Sequence, residues 1–123
     1  MAGTVSAMSN PGGSVHSRME DEVYALHYDI VADASDASIP DQTISVKGVS
    51  LVAISVKFDA TTPPDSLKVE VQDQFGIVID SNTFTASGYF AIEPIKFATG
   101  PLTIVHTTNT TNSAKAKVVL TVL

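Results

Sequence analysis

Apolar and polar residues alternate with a period of two along most of the chain after residue 22. In the first such stretch, residues 23–32, one face of the alternation carries Tyr24, Leu26, Tyr28, Ile30 and Ala32. A period of two is typical of a β-strand with one buried face. In the next long stretch the same reasoning predicts one inward face, made of Ser50, Val52, Ile54, Val56 and Phe58.

The second half of the chain adds shorter strands separated by turn signals. Residues 67–72 alternate strictly, and residues 73–76 form a tight turn in which Gly76 is free to take a positive φ, so residues 77–80 are expected to return as a hairpin partner. Residues 81–88 are expected to be a polar connection, and Pro94 is expected to end a short strand over residues 89–92. The last predicted strand, residues 115–123, is apolar on both faces, which favours a position inside a sheet.

These elements predict an all-β fold. Seven to eight short strands with turn signals between them, and no stretch with helical period, indicate an antiparallel β-sandwich of Ig-like or jelly-roll-like type. At 123 residues the chain is one domain's length. It has no cysteine, which excludes disulfides and a thiol nucleophile in this sequence.

Residues 1–19 are small, polar and rich in turn residues, and we interpret them as an extended N-terminal arm before a β-sandwich domain at residues 20–123. We expect the arm and the acidic run after it to contact a partner. The candidate partner-binding residues are Met1, Val5, Met8, Val15, Glu20, Asp21 and Glu22.

The charge is placed unevenly. The net charge is −6, and residues 1–41 carry seven acids and one arginine, whereas residues 42–123 carry six acids and six lysines. An acidic protein repels phosphates, so neither nucleic acid nor an anionic membrane surface is an expected partner. We also find no secretory signal pattern and no apolar run long enough to span a bilayer.

Nothing in the sequence predicts catalysis, a metal site or a cofactor. The three histidines, His16, His27 and His106, lack partners at metal-ligand spacing, and we interpret them as ordinary structural residues. The acids around residues 29–41 lack the EF-hand spacing and are interpreted as a solvated loop. The lysines are scattered singly along the chain. We therefore expect a protein that is not an enzyme and has no cofactor.

Two segments resemble a known class of proteins. Residues 65–79 (DSLKVEVQDQFGIVI) are similar to the strand, acidic turn with glycine and strand of small structural proteins of tailed bacteriophages. Residues 100–104 (GPLTI), an Asn-rich loop and residues 114–123 (AKAKVVLTVL) resemble their closing hairpin. The resemblance implies a β-sandwich built into a virion, with no catalytic residue.

On this basis we expect a capsid decoration, or cement, protein that stabilises the coat lattice, is assembled into virions in the bacterial cytoplasm and binds the major capsid protein or other virion subunits. It would also form homo-oligomers. One alternative is a component of the neck, the tail or a fibre base. Another is a carbohydrate-binding β-sandwich module, which needs exposed aromatic side chains on one face, whereas most tyrosines and phenylalanines fall on the predicted core faces.

Overall fold

A computed structural model describes residues 3–5 and 24–123. Every regular element in these residues is a β-strand. The strands are β1 (Thr4–Val5), β2 (Tyr24–Val31), β3 (Gln42–Ile44), β4 (Gly48–Phe58), β5 (Leu67–Gln72), β6 (Val78–Phe84), β7 (Gly88–Thr99), β8 (Leu102–Thr107) and β9 (Lys115–Val122). In this part of the chain no helix is long and apolar enough to cross a membrane.

The strands form two antiparallel sheets. One has five strands in the order β1-β2-β9-β4-β7, and the other has four in the order β3-β8-β5-β6. The inner faces of the two sheets meet in one hydrophobic core that receives residues from every strand between β2 and β9. The expectation of an antiparallel β-sandwich is confirmed.

The strand order distinguishes between the two sandwich types that the sequence left open. In the five-stranded sheet β2 pairs with β9, β4 pairs with β7, and the contact of β9 with β4 joins the two pairs. In the four-stranded sheet β3 pairs with β8 and β5 pairs with β6. Along the chain the pair β5–β6 lies inside β4–β7, that pair inside β3–β8, and that pair inside β2–β9. This nested antiparallel pairing over two sheets is the jelly-roll arrangement.

The strand β4 departs from the predicted alternation. A β-bulge lies between Leu51 and Ala53, against both β7 and β9. Before the bulge Val49 and Leu51 are buried, and after it Ile54, Val56 and Phe58 are buried. The predicted inward face is therefore confirmed for residues 54, 56 and 58 and wrong for Ser50 and Val52, because the bulge inserts one residue and shifts the alternation.

Two other predicted boundaries move. The segment 81–88 is not a polar connection, because β6 continues through residue 84 in register with β5. Pro94 does not end its strand. β7 runs past it to Thr99, and its pairing with β4 is interrupted between Ala91 and Lys96. β7 is the outer strand of its sheet, where a proline is tolerated since one row of backbone groups has no ladder to complete.

The strand β1, near the N-terminus, forms one edge of the five-stranded sheet. Thr4 pairs with Val31 and Val5 with Ile30, and the side chain of Val5 packs on the core. Gly3 fits only because it lacks a Cβ, which would clash with the carbonyl oxygen of Val31. Residues 3–5 thus belong to the sandwich, although the sequence placed them in the arm. The rest of the arm lies outside the described residues.

Candidate partner-binding surfaces

In the described part of the chain, a buried polar link joins the two sheets. The Tyr28 hydroxyl, on β2, lies 2.7 Å from Nε2 of His106, on β8, and Nδ1 of His106 lies 3.0 Å from the carbonyl oxygen of Pro40. A carbonyl can only accept, so Nδ1 carries the proton and Nε2 accepts from the tyrosine. The link satisfies both side chains inside the core.

Burial keeps both groups of this link uncharged. Desolvation raises the pKa of Tyr28 well above its usual value and lowers the pKa of His106 to about 4. His106 is only 4% exposed, so it presents no atom to a ligand from solvent. We conclude that the Tyr28–His106 pair joins the sheets rather than forming a binding site.

The acidic loop after β2 uses its carboxylates internally. Oδ2 of Asp33 accepts hydrogen bonds from the backbone N–H groups of Ser35 and Asp36, and Oδ1 of Asp36 accepts one from Ser38. The hydrogen bonds from the backbone and the side chain of Ser38 lower the pKa of Asp36. Within residues 3–5 and 24–123, no three metal-binding side chains converge. The loop is therefore built as a set of turns.

The exposed large apolar side chains lie where the outer strands of the two sheets run side by side. We define the β6–β7 edge by five of them: Phe75, Ile77, Val78, Ile95 and Phe97, which are 47–76% exposed. Tyr89, 67% exposed, lies at the other end of β7. Single exposed apolar residues are ordinary, but several on one edge mark an interaction surface.

A rigid turn holds the first three residues of the β6–β7 edge. Oδ1 of Asp73 accepts hydrogen bonds from the N–H groups of Phe75 and Ile77, and Gly76 takes φ = 79°. This confirms the turn predicted from the sequence. The Asp73 carboxylate fixes the backbone on both sides of Gly76, so Phe75 and Ile77 project from an ordered loop.

Polar contacts tie this hairpin to β7. Nζ of Lys96 donates to the carbonyl oxygen of Ile79 and lies 3.3 Å from Oδ2 of Asp80. Nε2 of Gln74 donates to Oγ1 of Thr99 at 3.4 Å. Ile95 and Phe97 flank Lys96 in the chain, so their backbone passes close to the hairpin, while the Phe97 ring lies over Gly48 of β4. The β6–β7 edge thus groups exposed apolar residues from adjoining strands of the two sheets.

A second surface lies at one end of the five-stranded sheet. Its open groove of about 470 Å³ is lined by strand residues 29–31, 57–58 and 115–117 and by the loop residues Asp59 and Ala60. Three lysines line it: Lys57, Lys115 and Lys117. We call it the lysine groove. The lysines are scattered in the sequence, and the register of β4 and β9 brings them together, which no sequence signal indicates before the strand pairing is known.

Of the candidate partner-binding residues, the structure describes Val5 alone, which packs on the core edge rather than on a free surface. Met1, Met8, Val15, Glu20, Asp21 and Glu22 lie outside the described residues. The β6–β7 edge was missed. The sequence does contain a signal for this edge, because large apolar residues stand on both sides of Gly76 and on both sides of Lys96.

The aromatic residues divide between core and surface. Tyr24, Tyr28 and Phe58 are buried, as the alternation predicts, and Phe84 is also buried although it was expected in a polar connection. Phe75, Tyr89 and Phe97 are exposed. Phe90, on β7, also packs against the core, so five of the eight aromatics face it and the expectation fails only for the three exposed ones. In β7 the pairing with β4 is interrupted around Pro94, and alternation does not predict which way a side chain points there.

Comparison of the sequence with protein families and with curated proteins gives no match. The function must therefore be argued from the two surfaces and the fold.

Proposed function

We propose that this protein is a non-enzymatic structural subunit of a bacteriophage virion, a decoration protein that binds the capsid and stabilises its coat lattice. The observation that carries the proposal is the β6–β7 edge. Five large apolar side chains there are 47–76% exposed to solvent on an ordered scaffold. A partner surface that covers them gains the free energy of removing them from water.

The fold supports this proposal without deciding it. Jelly-roll sandwiches occur in viral capsid proteins and in lectins, so the architecture suits an assembly part but also suits a binding module. A sandwich with a continuous core changes shape little on binding, which lowers the entropic cost of attachment.

The proposed mechanism is mechanical. The β6–β7 edge packs on a coat subunit, the sandwich spans the seam to the next subunit, and the N-terminal arm extends over that neighbour. Each Å² of apolar area covered contributes about 25 cal/mol before association costs are subtracted. The many copies on a shell then resist the outward pressure of the packaged genome.

The test is attachment of the purified protein to particles that lack it. Phe75→Ser/Phe97→Ser should lose attachment while keeping its stability, because substitutions at exposed positions change folding free energy by roughly 0.5 kcal/mol or less. Tyr89→Ser is the matched control, since Tyr89 is as exposed as Phe97 but lies at the far end of β7. Attachment of the double variant at the wild-type level would contradict the proposed contact surface.

Electron microscopy of the decorated particles tests the location. A regular lattice over the shell supports a decoration protein. A single ring on the particle axis supports the alternative, a component of the neck, the tail or a fibre base. If the particles show no density for the protein, either on the shell or on the particle axis, the virion assignment is overturned.

A carbohydrate-binding module is the second candidate, because the structure exposes aromatic rings. Phe97 pairs with Ser50 and Tyr89 with Ser55, so both rings lie on the outer side of β7 in the five-stranded sheet. Aromatic faces are suited to stacking on apolar ligand surfaces. A glycan array probed with the wild type and with Tyr89→Ser separates the candidates: specific glycan binding lost in this variant favours the module.

A further inference from the structure

The two long outer strands of the described sheets adjoin each other at the β6–β7 edge. Among the described strands, β6 ends the four-stranded sheet and β7 ends the five-stranded sheet. They contain seven and twelve residues, whereas β3 and β1, at the opposite ends, contain three and two. An outer strand presents unpaired backbone N–H and C=O groups, and a strand of another molecule can pair with them. The β6–β7 edge is therefore where the described fold is most open to strand addition.

Side chains bind backbone groups of β6 that an incoming strand would use. The backbone N–H of Ser81 donates to Oδ1 of Asp80 at 2.8 Å. Nζ of Lys96, on β7, donates to the carbonyl oxygen of Ile79 at 3.2 Å. Neither bond belongs to the pairing of β6 with β5, so these two groups are satisfied without a further strand. A strand that added to β6 here would first have to break both bonds.

The two side chains that cap β6 also hold each other. Oδ2 of Asp80 lies 3.3 Å from Nζ of Lys96, while Oδ1 of the same carboxylate accepts the bond from Ser81. The Asp80 side chain is 18% exposed and that of Lys96 is 41% exposed, so both charges keep contact with water. A strand laid over them would remove part of that water, and burying a charge is unfavourable unless new hydrogen bonds replace it. The pair therefore adds a desolvation cost to strand addition.

Features of the backbone act in the same direction on both strands. Pro94, in β7, has no N–H to donate to another strand. The pairing of β7 with β4 is interrupted between Ala91 and Lys96, so this part of β7 departs from a regular ladder. The pairing of β6 with β5 also shifts register, between Val71 and Gln72. Proline, bulges and charged side chains are the features by which natural β-sheets avoid pairing through their outer strands.

We propose that Asp80 and Lys96 keep the outer side of β6 closed to a β-strand of a second copy of this chain. The same edge carries the exposed apolar side chains of Phe75, Ile77 and Val78, which favour association once the backbone becomes accessible. With the backbone closed, the β6–β7 edge meets other proteins through its side chains alone. The proposal does not depend on the capsid assignment, because it concerns the contact that the edge prevents.

Sedimentation velocity of the full chain tests the proposal. Asp80→Ala/Lys96→Ala frees both capped backbone groups and removes both charges, so the self-association constant should rise on the order of tenfold over the wild type. Asp29→Ala/Lys117→Ala is the matched control, because it removes an ion pair of the same composition and leaves the net charge unchanged. Its strands, β2 and β9, lie away from the β6–β7 edge, so this variant should sediment like the wild type.

A proline at residue 81 tests whether the new contact uses the backbone. Adding Ser81→Pro to Asp80→Ala/Lys96→Ala removes the freed N–H and should return self-association to the wild-type level. The pairing of β6 with β5 should persist, because the N–H of Ser81 is bound by Asp80. Lys96→Met keeps much of the side-chain length but cannot donate to Ile79, and it should associate about threefold more strongly than the wild type. Far-UV circular dichroism and urea melts check that each variant is folded.

The proposal is overturned if Asp80→Ala/Lys96→Ala and Lys96→Met are folded and sediment like the wild type. If the double variant does not fold, Lys96→Met alone decides. Association that persists after Ser81→Pro would show that the apolar side chains join the copies without the backbone, which also contradicts the proposal. Equally strong association by Asp29→Ala/Lys117→Ala would make the effect a general consequence of a lost ion pair and would contradict it too.

Discussion

At the scale of single residues, His106 shows how an apolar core can hold a titratable group. Its ring makes hydrogen bonds through both nitrogens, to the Tyr28 hydroxyl and to the Pro40 carbonyl, and packs edge-on against Tyr28 with ring centroids 5.5 Å apart. These bonds repay the desolvation of the neutral ring but not that of the imidazolium. The link therefore ties protein stability to pH.

We expect the free energy of unfolding to fall as the pH is lowered from 6.5 to about 4. The unfolded chain takes up the His106 proton near pH 6.5, whereas the folded protein takes it up only near pH 4. Between these values the unfolded state binds more protons, so acid favours unfolding, by about 3 kcal/mol over the whole interval. Urea unfolding at pH 7 and pH 4.5 measures the difference.

One variant assigns this pH dependence. His106→Gln should remove most of it, whatever its effect on absolute stability. The window ends at pH 4.5 because carboxylates titrate below it. Two hydrogen bonds from Thr110 hold the pKa of Asp65 at about 2, so its contribution is present above pH 4 and lost below. Equal slopes for the wild type and His106→Gln would contradict the assignment.

At the scale of elements, alternation predicts strands well and fails where pairing is irregular. The inward residues of β2 and β5 follow from the sequence because the pairing of β2 with β9 and of β5 with β8 has no register shift. The predicted inward face of β4 is wrong before the bulge at Val52. The bulge depends on how β4 pairs with β7 and β9, and the residues of these two strands lie far from β4 in the sequence. The extent of β7 was missed for the same reason.

Because of the bulge, we expect different losses of unfolding free energy for two substitutions that simple alternation treats as equal. Phe58 is buried, so Phe58→Ala should cost about 3–5 kcal/mol of unfolding free energy. Val52 is half-buried on the outer side, so Val52→Ala should cost about 1 kcal/mol or less. Denaturant melts of both variants provide the measurement. Equal large losses would mean that Val52 faces the core and that β4 has no bulge there.

At the scale of the whole molecule, the fold class was predictable and the binding surfaces were not. Strand number and turn spacing suffice for a sandwich, but the nested order that makes it a jelly roll is set by long-range pairing. The lysine groove and the β6–β7 edge are products of that pairing, since Lys57 and Lys117 are far apart in sequence. The acidic run, a local feature, was visible from the sequence alone.

The N-terminal residues link the sandwich to the arm, and this gives a last prediction about the domain boundary. Deleting residues 1–5 should lower the unfolding free energy by about 1 kcal/mol, because Val5 packs half-buried against the core and β2 loses an edge partner. Gly3→Ala should have a similar effect, since the added Cβ would meet the carbonyl oxygens of Val31 and Ser38 and prevent docking of β1. Thr4→Ser is the control, because Thr4 is exposed.

Chemical denaturation of the three variants measures these losses of unfolding free energy. Wild-type stability in both the deletion and Gly3→Ala would place the boundary after residue 5 and return residues 3–5 to the arm, whereas a loss in the deletion alone would mean that Val5 docks without the close approach of Gly3.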